Sequence, residues 1–222
     1  MQLGLSSFEK LKQETPISRD PQLNALVQRV GARIAQAAAN DLPNAQWEFV
    51  VFESKEANAF CLPGGKVGIY TGILPITKDE AGLATVIGHE VAHASAHHGA
   101  ERMSQALAAQ TGGQVLGVAL SAADPRVQSL AAVAFPIATQ VGILLPYGRK
   151  QESEADRIGL TYMARAGYNP EAAVQFWERF SEFNSGKKGG PAWLRTHPVD
   201  EVRIQQIKSW LPEVRNEYRP QP

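Results

Sequence analysis

Leu23, Leu26, Val27, Val30 and Ile34 recur at intervals of three and four residues, so they mark one face of a helix. Asp20-Pro21, a cap residue followed by proline, starts that helix, which is expected to run to about Ala39. Trp47 to Phe52 is rich in aromatic and β-branched residues and reads as a strand. Two further short strands, Asn58 to Leu62 and Lys66 to Thr71, flank the turn Pro63-Gly64-Gly65. A long helix is predicted over about 79–105. Another covers about 150–166 and stops at Gly167, a good C-terminal signal. Asn169-Pro170-Glu171 opens a third, with Ala173, Phe176, Trp177 and Phe180 on its apolar side. Residues 185–190 read as a flexible loop, and His197-Pro198 precedes a last helix to about Trp210. The Pro-rich tail beyond it is expected to fray.

One stretch resists this pattern. Residues 112–146 are rich in Ala, Gly and Val, and no charged side chain lies between Arg126 and Arg149. A membrane span is one reading. Gln128, Ser129, Pro136, Thr139 and Gln140 interrupt the run, so a buried helix, or a hydrophobic loop over a site, is the expectation. The sum is an α+β fold: a mostly helical domain with a small sheet near the N-terminus. All 222 residues are expected to form one domain, with the first helix and the sheet at about 20–75 and C-terminal helices at about 170–210.

Composition narrows the function classes. Acidic and basic residues balance, giving a formal net charge of zero, so nothing global attracts nucleic acid or an anionic membrane. The single Cys61 excludes an intramolecular disulfide framework and reads as a small buried apolar residue. The N-terminal residues lack a basic start followed by a long apolar run, so they are not expected to be an intact signal peptide. The chain is therefore expected to be cytosolic or to have lost a leader.

The chemistry concentrates at His89-Glu90-Val91-Ala92-His93. Histidines four apart project from one helix face and can reach one metal ion. Glu90, beside them, can take a proton from metal-activated water without being a ligand. A catalytic zinc needs a third protein ligand. His97 extends the series, but on a straight helix it stands about 12 Å from His89 along the axis, too far to share the ion. His97 and His98 are therefore expected to be surface or supporting residues. Glu152 and Asp156, also four apart, share a face. Glu152 is the expected third ligand, and Asp156 the acceptor that orients a ligand histidine, His89 in the first instance. The bland reading of this pair is an acidic first helical turn facing solvent.

GHEVAHASAHHGAER at 88–102 and ESEADRIGL at 152–160 resemble the HtpX-like and CAAX-prenyl-protease gluzincins, metallopeptidase family forty-eight. NAFCLPGGKVGIYTGIL at 58–74 and THPVDEVRI at 196–204 extend the likeness over about three-quarters of the chain. It is similar to the soluble envelope-associated bacterial members and the mitochondrial Oma-type members. The resemblance implies one zinc per chain on His89, His93 and Glu152, with Glu90 as base. It also implies an edge strand at Asn58, Ala59 and Phe60 that pairs with an extended peptide. His197 would ligate the metal in a closed state or stabilise the developing oxyanion, or else be an ordinary residue before Pro198. Arg203 would hold the substrate carbonyl or Glu152.

The expected activity is endopeptidase cleavage of unfolded or misassembled proteins in a bacterial envelope or periplasm, with the cytoplasm open. Partners would be protein or peptide substrates and a membrane surface touched peripherally, with no nucleic acid and the oligomeric state unspecified. Two alternatives stand beside it: a latent metallopeptidase acting as a chaperone-like binding protein, and a non-proteolytic metallohydrolase or metal-free helical protein.

Overall fold

A computed structural model describes residues 2–184, 193 and 196–220. The loop expected at 185–190 lies outside the described residues. The chain divides into two compact units, Met1–Ala96 with Ser153–Pro222, and His97–Glu152.

The first unit opens with α1 (Gln2–Glu14), a helix the apolar pattern did not single out. α2 (Pro21–Ala37) follows, capped by Asp20, whose Oδ1 accepts from the amides of Gln22 and Leu23. Its stripe of Val27, Val30 and Ile34 is fully buried, as the spacing predicts. Strands β1 (Glu48–Phe52), β2 (Ala59–Leu62) and β3 (Lys66–Tyr70) form one sheet in the order β1-β3-β2. β1 runs parallel to β3, with Phe49 opposite Val67. β2 runs antiparallel to β3, with Phe60 opposite Gly68, and so stands at the sheet edge. Gly64 and Gly65 both take positive φ between β2 and β3, where a side chain would be strained.

After a short helix α3 (Leu74–Thr77), α4 (Glu80–Ser95) begins at Asp79, whose Oδ1 accepts from the Gly82 amide at 2.8 Å. Every residue from Gly82 to His93 is buried. α2, β2 and α8 (Glu171–Asn184) enclose this helix. Leu83, Val86, Ile87 and Val91 meet the core of Val51, Val67 and Ile69, and burying each such side chain is worth roughly 1.5–3 kcal/mol. α7 (Leu145–Arg165) crosses α4 at Gly88 and Gly159. A Cβ at Gly159 would lie 3.0 Å from the His89 amide nitrogen, so the two backbones touch where no side chain fits. α9 (Glu201–Val214) completes the unit, capped by Asp200.

The expected helix over 79–105 is interrupted. α4 ends at Ser95, and His97 adopts a left-handed conformation, φ 59°. The His97 carbonyl then accepts from Ala100 and Glu101, starting a new helix. Residue type gave little warning, because few non-glycine residues take this conformation, although histidine is among the types enriched in it.

The second unit contains α5 (His98–Ala119), α6 (Pro125–Thr139), a π-helical turn at Gln140–Leu144 and the opening turns of α7. Asp124 caps α6 by accepting from Arg126. The expectation of a buried helix at 112–146 is corrected here: no residue of α6 is buried. Val118 and Leu130 expose 75% and 70% of their surface. Hydrophobicity marks what avoids water, and two helices packed on one another leave their outer faces uncovered by that contact.

Candidate metal centre

α4 presents His89, Glu90 and His93 on adjacent turns, all buried. Glu152 and Asp156 share one face of α7, and His197 stands three residues before the Asp200 cap of α9. The His93 and His89 Nε2 atoms lie 3.0 Å apart, and His89 Nε2 lies 3.1 Å from His197 Nδ1. One ligand atom from each of His89, His93, Glu152 and His197 lies within 4.8 Å of every other, and all four residues are buried.

This donor set fits a zinc ion. His89 Nδ1 lies 3.0 Å from Asp156 Oδ1, a carboxylate neighbour that favours the proton on Nδ1 and the Nε2 lone pair directed at the cluster. Facing lone pairs repel unless a proton or a cation lies between them. Four ligands placed about 2.0–2.2 Å from a tetrahedral zinc are separated by roughly 3.3 Å, close to the nitrogen spacings here. A buried group of three imidazoles and a carboxylate is otherwise costly.

Asp156 is held from both sides. Arg203 Nε and Nη2 donate to its two oxygens at 2.7 and 2.9 Å, and Nη1 donates to the Pro198 carbonyl. The guanidinium also lies 3.8 Å from the Trp177 ring centroid. Burial alone would raise the Asp156 pKa, but the Arg203 charge and the hydrogen bonds from His89 and Arg203 outweigh it. The carboxyl therefore stays below its ordinary value. Arg203, expected at the substrate carbonyl or at Glu152, is buried and fixes Asp156. Asp156 lies against His89, as its spacing on α7 suggested.

Glu90 is gripped by a residue that motif reading missed. Trp193 Nε1 donates to Glu90 Oε1 at 2.6 Å, and His197 Nε2 lies 3.4 Å from the same oxygen. Trp193 stacks on Trp177 with ring centroids 5.2 Å apart. Its spacing of four from His197 was the available signal. Gly159 was also missed, although it sits inside the same segment as Glu152 and Asp156.

β2 lies against α4. The Asn58 carbonyl accepts from Tyr70 on β3, so the backbone groups of Ala59 and Cys61 alternate to the free side of the strand. There the Ala59 amide is covered by the Asn58 side chain at 3.0 Å. The Phe60 ring packs among Phe8, Phe52 and Tyr70. Burial, and secondarily the Glu90 charge, raises the Cys61 thiol pKa, so the thiol stays protonated and unreactive. His97 is exposed at the helix break and His98 is buried.

Comparison with known proteins follows the same residues. The model of the family described as Peptidase family M48 matches residues 21–211. The mitochondrial metalloendopeptidase OMA1 of Schizosaccharomyces pombe is 38% identical over 84% of this chain and 52% of its own length. OMA1 of Saccharomyces cerevisiae is 34% identical over 96% of this chain and 63% of its own length. The beta-barrel assembly-enhancing protease of Escherichia coli is 28% identical over 97% of this chain and 44% of its own length. The chain thus spans about half the length of the curated relatives it matches.

Proposed function

The chain belongs to Peptidase family M48, and from that premise we propose that it is a zinc metalloendopeptidase acting on unfolded or misassembled proteins. The observation that carries the proposal is the buried convergence of His89, His93, Glu152 and His197 around one point, with Glu90 alongside. His89, His93 and Glu152 would hold the ion. His197 would complete the set in the arrangement described and leave it when substrate enters. Zinc, when bound, supplies Lewis acidity and acidifies water.

Glu90 takes the proton of the attacking water on its carboxylate and returns it to the nitrogen of the leaving amine. Asp156, fixed by Arg203, keeps the His89 Nδ1 proton in place and its Nε2 free to bind metal. The free edge of β2 offers backbone pairing to an extended peptide once the Asn58 side chain releases the Ala59 amide. Recognition of backbone fits a broad range of unfolded substrates. We also propose that residues 1–222 work as one metallopeptidase domain, with 97–152 carried inside it. The relatives' names support a place in an organelle or envelope, and peripheral contact with a membrane is our own proposal.

Glu90→Gln should lower casein cleavage by about 10²–10⁴-fold while zinc stays bound. Undiminished cleavage would remove Glu90 from the mechanism. A latent protein with chaperone-like binding is the second reading, favoured by the contacts of Trp193 and His197 on Glu90. If these hold the site closed, His197→Ala raises cleavage. If His197 supports the oxyanion, the same variant lowers it.

A further inference from the structure

The second unit is an antiparallel helical hairpin, fixed by contacts at three levels. At its tip, Gln128 Nε2 donates to the carbonyls of Ser121 and Ala123. Midway, Gly112 and Gly113 admit the Phe135 ring. At its base, Gln151 donates to Glu101 at 2.8 Å. Neither 103–123 nor 127–148 contains a charged residue. The helical part of the first run, 103–119, is about 26 Å long and the second run about 33 Å, near the roughly 30 Å of a bilayer's hydrocarbon.

The hairpin's outer surface is uncharged and largely apolar, with Gln110, Thr111, Gln114 and Gln140 also exposed on it. Met103, Leu107, Val115 and Val118 on α5 are largely exposed, as are Leu130, Val133 and Ile137 on α6. Val141, Ile143 and Leu145 continue that surface towards the base. A water-facing surface of this extent marks a docking site. The segment Pro125–Arg165 is also long and apolar enough, by length and composition, to cross a membrane.

The charges say which solvent. Arg102, Arg149 and Lys150 are exposed at the base, next to the exposed Tyr147, and the Glu101 carboxylate beside them accepts from Gln151. Asp124 and Arg126 stand at the tip. Basic residues and a tyrosine flanking an uncharged span match an anionic headgroup layer. A cleft between α5 and α6 of about 340 Å³, lined by Leu116, Gly117, Phe135 and Pro136 among others, is apolar enough to accept an acyl chain.

We propose that the hairpin of α5 and α6 inserts its apolar face into a lipid bilayer, with the base residues Arg102, Arg149 and Lys150 on anionic headgroups. This deepens the membrane placement proposed above and does not depend on proteolysis. The test is flotation of the full chain with vesicles of phosphatidylethanolamine and phosphatidylglycerol, and with vesicles of phosphatidylcholine alone. The chain should float with both, more with the anionic vesicles, and Glu90→Gln should float equally well.

Val133→Asp with Ile137→Asp should weaken flotation by about a hundredfold or more. Leu5→Lys, an exposed apolar position in the first unit, should change nothing. Arg149→Glu with Lys150→Glu should lower binding by about tenfold on anionic vesicles only. Circular dichroism and zinc content confirm that each variant is folded. Wild-type chain that stays below the gradient overturns the proposal, as does unimpaired flotation of the aspartate variant. So does a lipid-independent dimer that this variant dissolves, which would make a second copy the occupant. Equal binding to both vesicle types would overturn the role of the basic residues.

Discussion

α4 and α6 are helices of 16 and 15 residues, both dominated by apolar side chains, and they meet opposite fates. In α4 the twelve residues from Gly82 to His93 are all buried, including two histidines and a glutamate. In α6 none is buried, although nothing charged follows Arg126. Polar groups kept inside a core must be compensated by partners, so those of α4 mark chemistry. Apolar groups kept outside call for a cover other than water, so those of α6 mark a docking surface, for which lipid is the occupant proposed above. Hydrophobicity alone therefore separates neither case. The exceptions to it do.

The sharpest way to break this contrast is to unbalance the polar network beneath α4. Arg203→Ala leaves Asp156 buried without its guanidinium and should destabilise the protein by about 3–5 kcal/mol, measured by urea unfolding. Loss of less than about 1 kcal/mol would show that Asp156 is not held as the contacts indicate. Gly159→Val forces a side chain into the α4–α7 crossing. It should cost about 1–3 kcal/mol or more and loosen zinc binding with it.

Asp156→Asn should weaken zinc affinity by about 10–100-fold, read by competition with a chromogenic chelator. The same variant carries a pH signature in zinc-free protein. The folded Asp156 pKa is depressed, so its stabilisation is complete above the unfolded carboxylate value near 4 and is lost as pH falls through the folded value. Asp156→Asn should flatten that acid limb. At the small end, Gly142→Ala in the second unit meets no atom within 4 Å and should shift stability by no more than about 1 kcal/mol, in the stabilising direction.

Local geometry made part of the site legible. His89, Glu90 and His93 could be read because helix periodicity places i and i+4 on one face, and Glu152 with Asp156 followed the same rule. The β2–β3 hairpin was readable from Pro63-Gly64-Gly65, whose glycines take the positive φ that the turn requires. Contacts set by packing were not. Trp193 reaches Glu90 across 103 residues and Arg203 reaches Asp156 across 47, and no spacing rule covers such distances. The break at His97 depends on a backbone conformation that histidine does not favour. The exposure of α6 was misread because a buried helix and a lipid-facing one share the same composition.

The central claim is that His89, His93 and Glu152 hold a single zinc that Glu90 serves without binding it. Metal analysis of the purified chain and its variants, without added zinc, tests this most directly. The account predicts one zinc per chain in the wild type and in Glu90→Gln, and almost none in Glu152→Ala. Zinc retained in full by Glu152→Ala, or lost from Glu90→Gln, would contradict it.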